Sequence, residues 1–270
     1  MILKNISNFI KRKLFKVSYE YFTPNLNRIE IEITTACNLY CLNCGRACSQ
    51  APSNDSMSAE QIEKFVNESI DLNWKWKHIG LMGGEPTLHP RLFDVLDIIK
   101  KYKQLNPDCK IEVVTNGYGI KVNEVLSKLP DWVGVRNSKK TSRINEFITV
   151  NIAPIDLKEY KNTDFTTGCW ITEACGVGLS RYGYYPCGAG ATCDRVFGFD
   201  IGLKSLSLLT EEVLQNQLKH LCKYCGHYKT TNPVHSRFKY FRVTKTMMSI
   251  TWEKAFDKYK KSKPALSIYK

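Results

Sequence analysis

The run RIEIEITTACNLYCLNCGRAC at residues 28–48 decides the fold, because a strand pattern passes directly into a loop of closely spaced cysteines. Isoleucine alternates with glutamate through residues 29–33, which is the period-two pattern of a β-strand. A strand that is buried on both faces does not alternate in this way. We therefore expect strand 28–34 to lie at the edge of an open barrel, with one face in water.

The loop after this strand carries Cys37, Cys41 and Cys44 in the spacing C-x3-C-x2-C. Three thiolates can bind three irons of a four-iron cluster and leave the fourth iron open to an outside ligand. Taken alone, the spacing fits a zinc site or a disulfide loop equally well. The chain has 11 cysteines in 270 residues, an odd number, and shows no secretory signal pattern. In a reducing compartment, this count favours metal binding over a disulfide framework.

Two more strand–loop–helix units follow the cysteine loop. Strand patterns at 78–82 and 110–115 lead into helix patterns at 90–104 and 122–129, and Ser58 and Gln61 have the capping-box spacing that starts a helix. This alternation predicts an α/β fold with a parallel sheet, whose loops open on one face where active sites collect. Further strands expected at 132–136 and 147–154 leave about ten residues between them, barely enough for a helical crossover. We therefore expect an abbreviated barrel.

The loop after the second strand reads GGEPTLHP at residues 83–90. Together with the cysteine triad, it resembles the radical SAM superfamily, and the resemblance covers roughly residues 28–228. It implies an open, abbreviated parallel (β/α)6-type barrel in which Cys37, Cys41 and Cys44 bind a [4Fe–4S] cluster. The open iron of that cluster would bind S-adenosyl-L-methionine, which is split into methionine and a 5′-deoxyadenosyl radical.

The same resemblance assigns cofactor contacts. Glycines allow close backbone approach, and a carboxylate suits an ammonium group. The element that holds the methionine amino group corresponds to Gly83, Gly84, Glu85 and Pro86. Asn116, in the turn after the third strand, is a further candidate ligand. The family usually has an aromatic residue before the third cysteine, but this chain has Asn43, so Tyr40 is the candidate for the missing adenine contact.

A second set of cysteines lies between residues 169 and 225. Its Cys222 and Cys225 have the spacing of a metal knuckle, for which a zinc ribbon is the alternative explanation. The run from Cys169 through GYYPC at 183–187 resembles the opening of a SPASM/twitch extension, which presents cysteines to an auxiliary [4Fe–4S] cluster. No further cysteine follows Cys225 in this sequence, so the shorter twitch form with one auxiliary cluster is the better match. On that resemblance the ligands are Cys169, Cys187, Cys222 and Cys225, which leaves Cys175, Cys193, Cys48 and Cys109 without an assigned role.

The net charge of +13 is concentrated at the two ends of the chain. Residues 1–20 carry a net +4 and residues 219–270 a net +11, whereas the middle carries −2. Residues 2–17 also have the pattern of an amphipathic helix. We expect a basic helix at 1–27, the partial barrel at 28–160, a small Cys-rich twitch/SPASM-like domain at 161–233 and a basic aromatic tail at 234–270. The basic ends make an anionic membrane surface or a phosphate-bearing substrate a candidate partner.

The predicted activity is hydrogen abstraction, with two-electron oxidation of a sugar-like, cyclitol-like, phosphate-linked or lipid-linked substrate favoured. An external one-electron reductant of the flavodoxin or ferredoxin type would supply the electron for this reaction. The predicted location is the cytoplasm, with peripheral contact to a membrane as a further expectation. Arg136, at the end of the fourth strand, is the candidate catalytic residue. One alternative is a ribosomal-peptide maturase, although few residues precede Cys37. The other alternative is a non-catalytic zinc or iron–sulfur protein that binds RNA through residues 237–242. Because RNA binding leaves the GGEP run unexplained, we do not expect nucleic acid as a partner.

Overall fold

A computed structural model describes residues 22–145, 147, 150–231 and 247–270. Its centre is one six-stranded sheet in the order β4-β3-β2-β1-β5-β6. The pairs from β4 to β5 are parallel, and β6 is antiparallel to β5. The predicted α/β fold with an open, mainly parallel sheet is confirmed. The strands are β1 (Arg28–Thr34), β2 (His78–Gly83), β3 (Lys110–Thr115), β4 (Gly134–Asn137), β5 (Val177–Ser180) and β6 (Gly183–Tyr185).

Helices follow the first three strands, as the sequence pattern predicts. Ser58 caps the first helix through a capping box with Gln61, as expected. The apolar faces of the first two helices and one face of the sheet share a single buried core that contains Ile31, Phe65 and Ile99. The helices are α1 (Ala59–Asp71), α2 (Leu92–Leu105), α3 (Ile120–Leu126), α4 (Trp170–Ala174), α5 (Gly188–Phe197), α6 (Glu211–Leu221) and α7 (Ile250–Lys261).

The position expected for the first strand is wrong. β1 is a central strand, hydrogen-bonded to β2 on one side and β5 on the other. Its glutamates do not face bulk water, since Glu30 is 7% and Glu32 5% exposed. Both pair with Arg46 of the cysteine loop, at 2.7 and 3.8 Å. The alternating pattern arises because one face of β1 packs in the apolar core and the other lines a charged interior.

The fifth strand also differs from the expectation. Among the described residues of segment 147–154 there is no strand, and the position beside β1 is taken by Val177–Ser180. The sheet therefore continues across the domain boundary set at 160. Residues 161–233 contribute β5 and β6 to the same sheet as the barrel strands, besides α4, α5 and α6.

The terminal segments are described in part. The predicted basic helix at 2–17 and the basic aromatic residues 237–242 lie outside the described residues. The end of the chain is packed rather than free: α7 buries Trp252, Phe256 and Tyr259, and Tyr269 is fully buried. Across the described ranges, no helix is long and apolar enough to cross a membrane.

Candidate functional site

Three loops at the carboxyl ends of β1, β2 and β3 are bonded to one another. The backbone N–H of Gly84 donates to Thr34 O and that of Glu85 to Ala36 O, both at 2.8 Å. This approach requires glycine, because a Cβ on Gly83 would lie 1.9 Å from Thr34 O and a Cβ on Gly84 2.2 Å from Ala36 O. The GGEP run therefore lies directly against the loop that carries the cysteine triad.

Glu85 connects the second and third loops. Its carboxylate is fully buried and accepts hydrogen bonds from Thr87 and Thr115 hydroxyls at 2.8 Å and from Asn116 N at 2.8 Å. Asn116 in turn donates its side-chain amide to Asn38 Oδ1 in the cysteine loop at 2.8 Å. Both Glu85 oxygens accept hydrogen bonds from the protein itself, so the carboxylate joins the second loop to the third, and Asn116 extends the connection to the first.

A cavity of about 320 Å³ opens between these loops and the interior face of the sheet. We call it the main cavity. Of the predicted site residues, the cysteine triad, Gly83, Gly84 and Asn116 line it, whereas Tyr40, Glu85, Pro86 and Arg136 do not. Tyr40 is 59% exposed and its ring lies 5.0 Å from the guanidinium of Arg143. The cavity is also lined by Glu30, Leu39, Gly45, Arg46, Met82, Val114, Thr115, Ser138, Lys140, Phe147, Ile171, Cys175, Ala189 and His227.

The charged wall of the main cavity is built on Glu30. Its Oε2 accepts a 2.7 Å hydrogen bond from Arg46 Nη2, and its Oε1 is 3.8 Å from Arg136 Nη2. The Arg46 guanidinium also needs space beside α5, because a Cβ on Gly188 would lie 2.1 Å from Arg46 Nη1. Arg136 is thus placed behind Glu30, with its side chain 46% exposed, and reaches the site through that carboxylate.

The second cysteine set lines a separate small cavity, which we call the closed cavity. Cys169, Cys187, Cys222 and Cys225 all border it, the four ligands that the twitch resemblance implies, whereas Cys175 and Cys193 do not. Ile171, Ala189 and His227 border both cavities. The two cavities are therefore separated by the thickness of single side chains.

Two cysteines without an assigned role lie beside predicted ligands. A hydrogen bond from the Cys48 thiol, which outweighs burial, lowers the pKa of Cys44 to about 6. A hydrogen bond from the Cys193 thiol likewise lowers the pKa of Cys225 well below its usual range, with the nearby His227 adding to the effect. Burial raises the pKa of Cys37 to about 11 and that of Cys169 to about 12. In each set, one thiolate is stabilised by the protein itself.

Arg195 holds the cysteine loop from the other side. This fully enclosed residue of α5 donates to Arg46 O at 2.8 Å and to Ala51 O at 2.7 Å, and it also reaches Tyr259 in α7. Asn43 is buried with φ +54°, a left-handed conformation that asparagine adopts more readily than aromatic residues do. Its side chain accepts from Met247 N at 3.0 Å. Asn43 therefore supports the loop at a position where the family usually has an aromatic ring.

The residues present fit the groups that the sequence implies. All eleven cysteines are free thiols, and cysteine thiolates are the ligands that iron–sulfur clusters take. Within the described part of the chain, no three His, Cys, Asp or Glu side chains come close enough to hold a single metal ion. A cluster does not need such closeness, because each cysteine binds a different iron. Sequence reasoning missed Arg46, Cys175 and His227, since none of them belongs to a recognisable spacing.

Comparisons with known proteins agree with this geometry. Residues 31–135 match the model of the radical SAM superfamily. A probable GTP 3′,8-cyclase from Methanococcus maripaludis is 31% identical over 202 residues, which is 74% of this chain and 55% of the relative. One from Thermococcus kodakarensis is 29% identical over 103 residues, 38% of this chain and 31% of the relative. The chain thus covers less than two thirds of the length of these curated relatives.

Solved structures give weaker likenesses. The crystal structure of BtrN in complex with AdoMet and 2-DOIA is 15% identical, with a TM-score of 0.46, over 76% of this chain and 94% of BtrN. Streptococcus suis SuiB bound to precursor peptide SuiA is 18% identical, with a TM-score of 0.30, over 49% of this chain and 27% of SuiB.

The chain carries a radical SAM domain, as its cysteine triad and GGEP run predict. Proteins of this superfamily use a [4Fe–4S] cluster together with S-adenosyl-L-methionine. A SPASM or twitch extension remains a prediction from the second cysteine set.

Proposed function

We propose that this protein is a radical SAM enzyme that removes a hydrogen atom from a small polar substrate held in the main cavity. The observation that carries the proposal is that Cys37, Cys41 and Cys44 line the same cavity as Gly83 and Gly84. When bound there, a [4Fe–4S] cluster and S-adenosyl-L-methionine supply a 5′-deoxyadenosyl radical. The chain's own residues hold the cofactors in place, exclude water and position the substrate.

The finer proposal is a two-electron oxidation of a hydroxyl-bearing, sugar-like or cyclitol-like compound. After one hydrogen atom is lost, a second electron must leave the substrate. The four cysteines of the closed cavity would hold an auxiliary [4Fe–4S] cluster, and cluster potentials cover a wide range that suits an electron acceptor. Because Ile171, Ala189 and His227 border both cavities, that acceptor would lie one side chain away from the substrate.

Cyclisation of GTP is the second candidate function, since the curated relatives are named for that reaction. The 31% identity over 202 residues supports it, and Lys140 on the wall of the main cavity is a cation suited to a phosphate group. Against it stands Glu30 on the same wall, because it already pairs with the Arg46 guanidinium that a phosphate group would need. A peptide maturase or a carrier-linked substrate has no comparable observation in its favour.

Two partners belong to the proposal. An external one-electron reductant of the flavodoxin or ferredoxin type would supply the electron that starts each turnover. An anionic membrane surface is the second, on the strength of the charge at the two ends of the chain. The protein would act in the cytoplasm, alone or attached peripherally to a membrane.

Iron content and cofactor cleavage test the proposal together. Two four-iron clusters should load about eight irons per chain on anaerobic reconstitution. Replacing Cys37, Cys41 and Cys44 together by Ala should remove about half of that iron and abolish reductive cleavage of S-adenosyl-L-methionine. Continued cleavage by the triple variant would contradict the proposed function, and stoichiometric zinc in place of iron would favour a structural metal site.

Single variants separate the two clusters. Cys225→Ala should lose the auxiliary cluster and keep part of the uncoupled cleavage, whereas the matched variant Cys175→Ala should keep its full iron content. The reverse order of damage would show that Cys175, and not Cys169, is the ligand.

A further inference from the structure

Glu30 is a carboxylate that the predicted cofactor chemistry does not use. Its side chain is 9% exposed, and it lines the main cavity with the cysteine triad. The triad follows the carboxyl end of β1, whereas Glu30 lies near the start of the strand. The proposed cluster ligands and this carboxylate therefore lie at different depths of one cavity.

One oxygen of Glu30 makes no hydrogen bond to either of the neighbouring guanidinium groups. Oε2 is engaged by the short hydrogen bond from Arg46 Nη2. Oε1 faces Arg136 Nη2 across 3.8 Å, which is beyond hydrogen-bonding distance. The Cys175 thiol, which lines the same cavity, is the third group in contact with Glu30. Held between two guanidinium groups, the carboxylate keeps a fixed position.

We propose that Glu30 accepts the hydroxyl group of a neutral polyhydroxylated substrate and takes its proton when the hydroxyl-bearing carbon is oxidised. Arg136, which lies behind Glu30 and outside the cavity lining, holds this carboxylate in position. This inference rests on the proposed function and names its substrate class: cyclitols and sugars without a phosphate next to the reacting carbon. An anion at that depth would compete with Glu30 for the Arg46 guanidinium, whereas a hydroxyl group can donate to the Glu30 carboxylate without displacing it.

The step balances in atoms and electrons. The carbon–hydrogen bond breaks, and the hydrogen atom forms a new bond to the 5′-carbon of the deoxyadenosyl radical. The hydroxyl proton passes to Glu30 Oε1, and the remaining electron passes to a one-electron acceptor, the oxidised iron–sulfur cluster proposed for the closed cavity. The carbon–oxygen bond becomes a carbonyl group. A positioned carboxylate is an ordinary general base for such a transfer.

Binding provides a test that does not depend on turnover. Reconstituted protein with S-adenosyl-L-methionine and no reductant is titrated by calorimetry with myo-inositol, D-glucose, glucose 6-phosphate and GTP. A neutral compound should bind more tightly than the two phosphorylated ones. Glu30→Gln should weaken its binding by about tenfold or more, since tenfold corresponds to about 1.4 kcal/mol, the size of a hydrogen bond to a charged group.

Two other variants keep the test decisive. Glu112→Gln is the matched control: it also removes a buried carboxylate, but Glu112 pairs with His78 and does not line the main cavity, so binding should be unchanged. Arg136→Gln changes a half-exposed residue that holds Glu30 and should also weaken binding. It takes the place of Glu30→Gln if that variant is too unstable to purify. Equal affinity in wild type and Glu30→Gln, or in wild type and Arg136→Gln, would overturn the assignment.

Turnover then separates positioning from proton transfer. With the compound that binds and a reductant, the wild type should give equal amounts of 5′-deoxyadenosine and a product lighter by about two mass units. Glu30→Gln should still form 5′-deoxyadenosine but lose the lighter product, and undiminished product would overturn the role as a base. Exclusive binding of GTP or glucose 6-phosphate, or no binding at all, would overturn the substrate class. Absence of 5′-deoxyadenosine from every sample would instead contradict the proposed function.

Discussion

At the scale of single residues, the site depends on close backbone contact between two loops. Gly84 is the clearest case, because its N–H and Cα lie directly against the carbonyl groups of Thr34 and Ala36. The sequence predicts a glycine-rich ligand loop here, but not the surface against which its backbone is pressed. That surface is the cysteine loop itself.

Gly84→Ala should therefore disrupt the site. The added methyl group would lie 2.2 Å from Ala36 O, a backbone atom that cannot move without shifting the cysteine loop. Overpacking of this kind costs about 1–3 kcal/mol of unfolding free energy. Urea unfolding should show that loss, and equilibrium dialysis should show weaker binding of S-adenosyl-L-methionine to reconstituted protein.

Gly80→Ala in β2, the strand that leads into the Gly84 loop, is the matched control. Its Cβ would meet only ordinary contacts, the nearest at 3.6 Å from His78 Cε1. The change in unfolding free energy should stay below about 1 kcal/mol. Equal effects of the two substitutions would mean that the contact with the cysteine loop is not what Gly84 provides.

At the scale of elements, the sequence predicted the repeating units well and the central strand badly. β2, β3 and their helices follow hydrophobic periodicity, because each has one apolar core face. In β1, the alternating glutamates predict that one face of the strand lies in water. They are instead neutralised by Arg46, which comes from a loop, and pairing between distant residues leaves no periodic signal. β5 was missed because Val177–Ser180 is four residues long, while the more apolar segment 147–154 competed for its place.

Some residues of the candidate site were likewise predicted from the sequence, and others were not. The cysteine triad, Gly83, Gly84 and Asn116 were predicted from motifs, and the main cavity brings them together. Glu85 was predicted as a ligand contact, yet its oxygens are used between loops, which a linear motif does not reveal. Residues that reach the site from a neighbouring helix or loop, such as Arg195, are placed there by tertiary packing. No sequence motif therefore predicts them.

The turn after β2 contains a histidine that makes stability sensitive to pH. His89 Nε2 lies 2.9 Å from Met57 O, and Nδ1 accepts from Arg91 N at 3.1 Å, so the ring is held as the neutral tautomer. Burial, together with the charge of Arg91, lowers the pKa of His89 below its ordinary 6.5. The unfolded chain then binds the proton more readily than the folded one. Stability is complete above pH 6.5 and is lost as the pH falls towards the folded-state pKa.

Thermal unfolding at several pH values tests this linkage. The melting temperature should fall between about pH 7.5 and pH 5.5. In His89→Gln, which keeps a donor for Met57 O without a titrating ring, the fall should be smaller. An identical pH profile in both proteins would assign the sensitivity to other groups, such as His78, whose pKa burial also lowers.

At the scale of the whole molecule, charge and packing are arranged on opposite sides of the same terminal helix. α7 buries Trp252, Phe256 and Tyr259, while Lys254, Lys258 and Lys261 are exposed. The helix is therefore a structural element with a basic outer face. This face, and the net +4 of residues 1–20, would each favour the anionic lipid partner proposed above.

Sedimentation with anionic vesicles measures this surface. The protein should pellet with vesicles at low ionic strength and stay in solution near 1 M salt, where screening acts within about 3 Å. Replacing Lys254, Lys258 and Lys261 of α7 by Gln should reduce the pelleted fraction without changing the iron content. Salt-insensitive binding, or none at low salt, would show that the basic ends do not attract lipid.

The central position of β1 has a consequence for the order in which the chain assembles during synthesis. Its partner on one side, β2, is made soon after it, but its partner on the other side, β5, arrives about 150 residues later, a long-range contact of the kind that slows folding. Until β5 has been made, β1 is an edge strand of the growing sheet. Exposed edge strands can pair with strands of other chains, and inward-pointing charged side chains are among the features that prevent this pairing. We expect Glu30 and Glu32 to keep the nascent polypeptide from mispairing until the later strands enclose them.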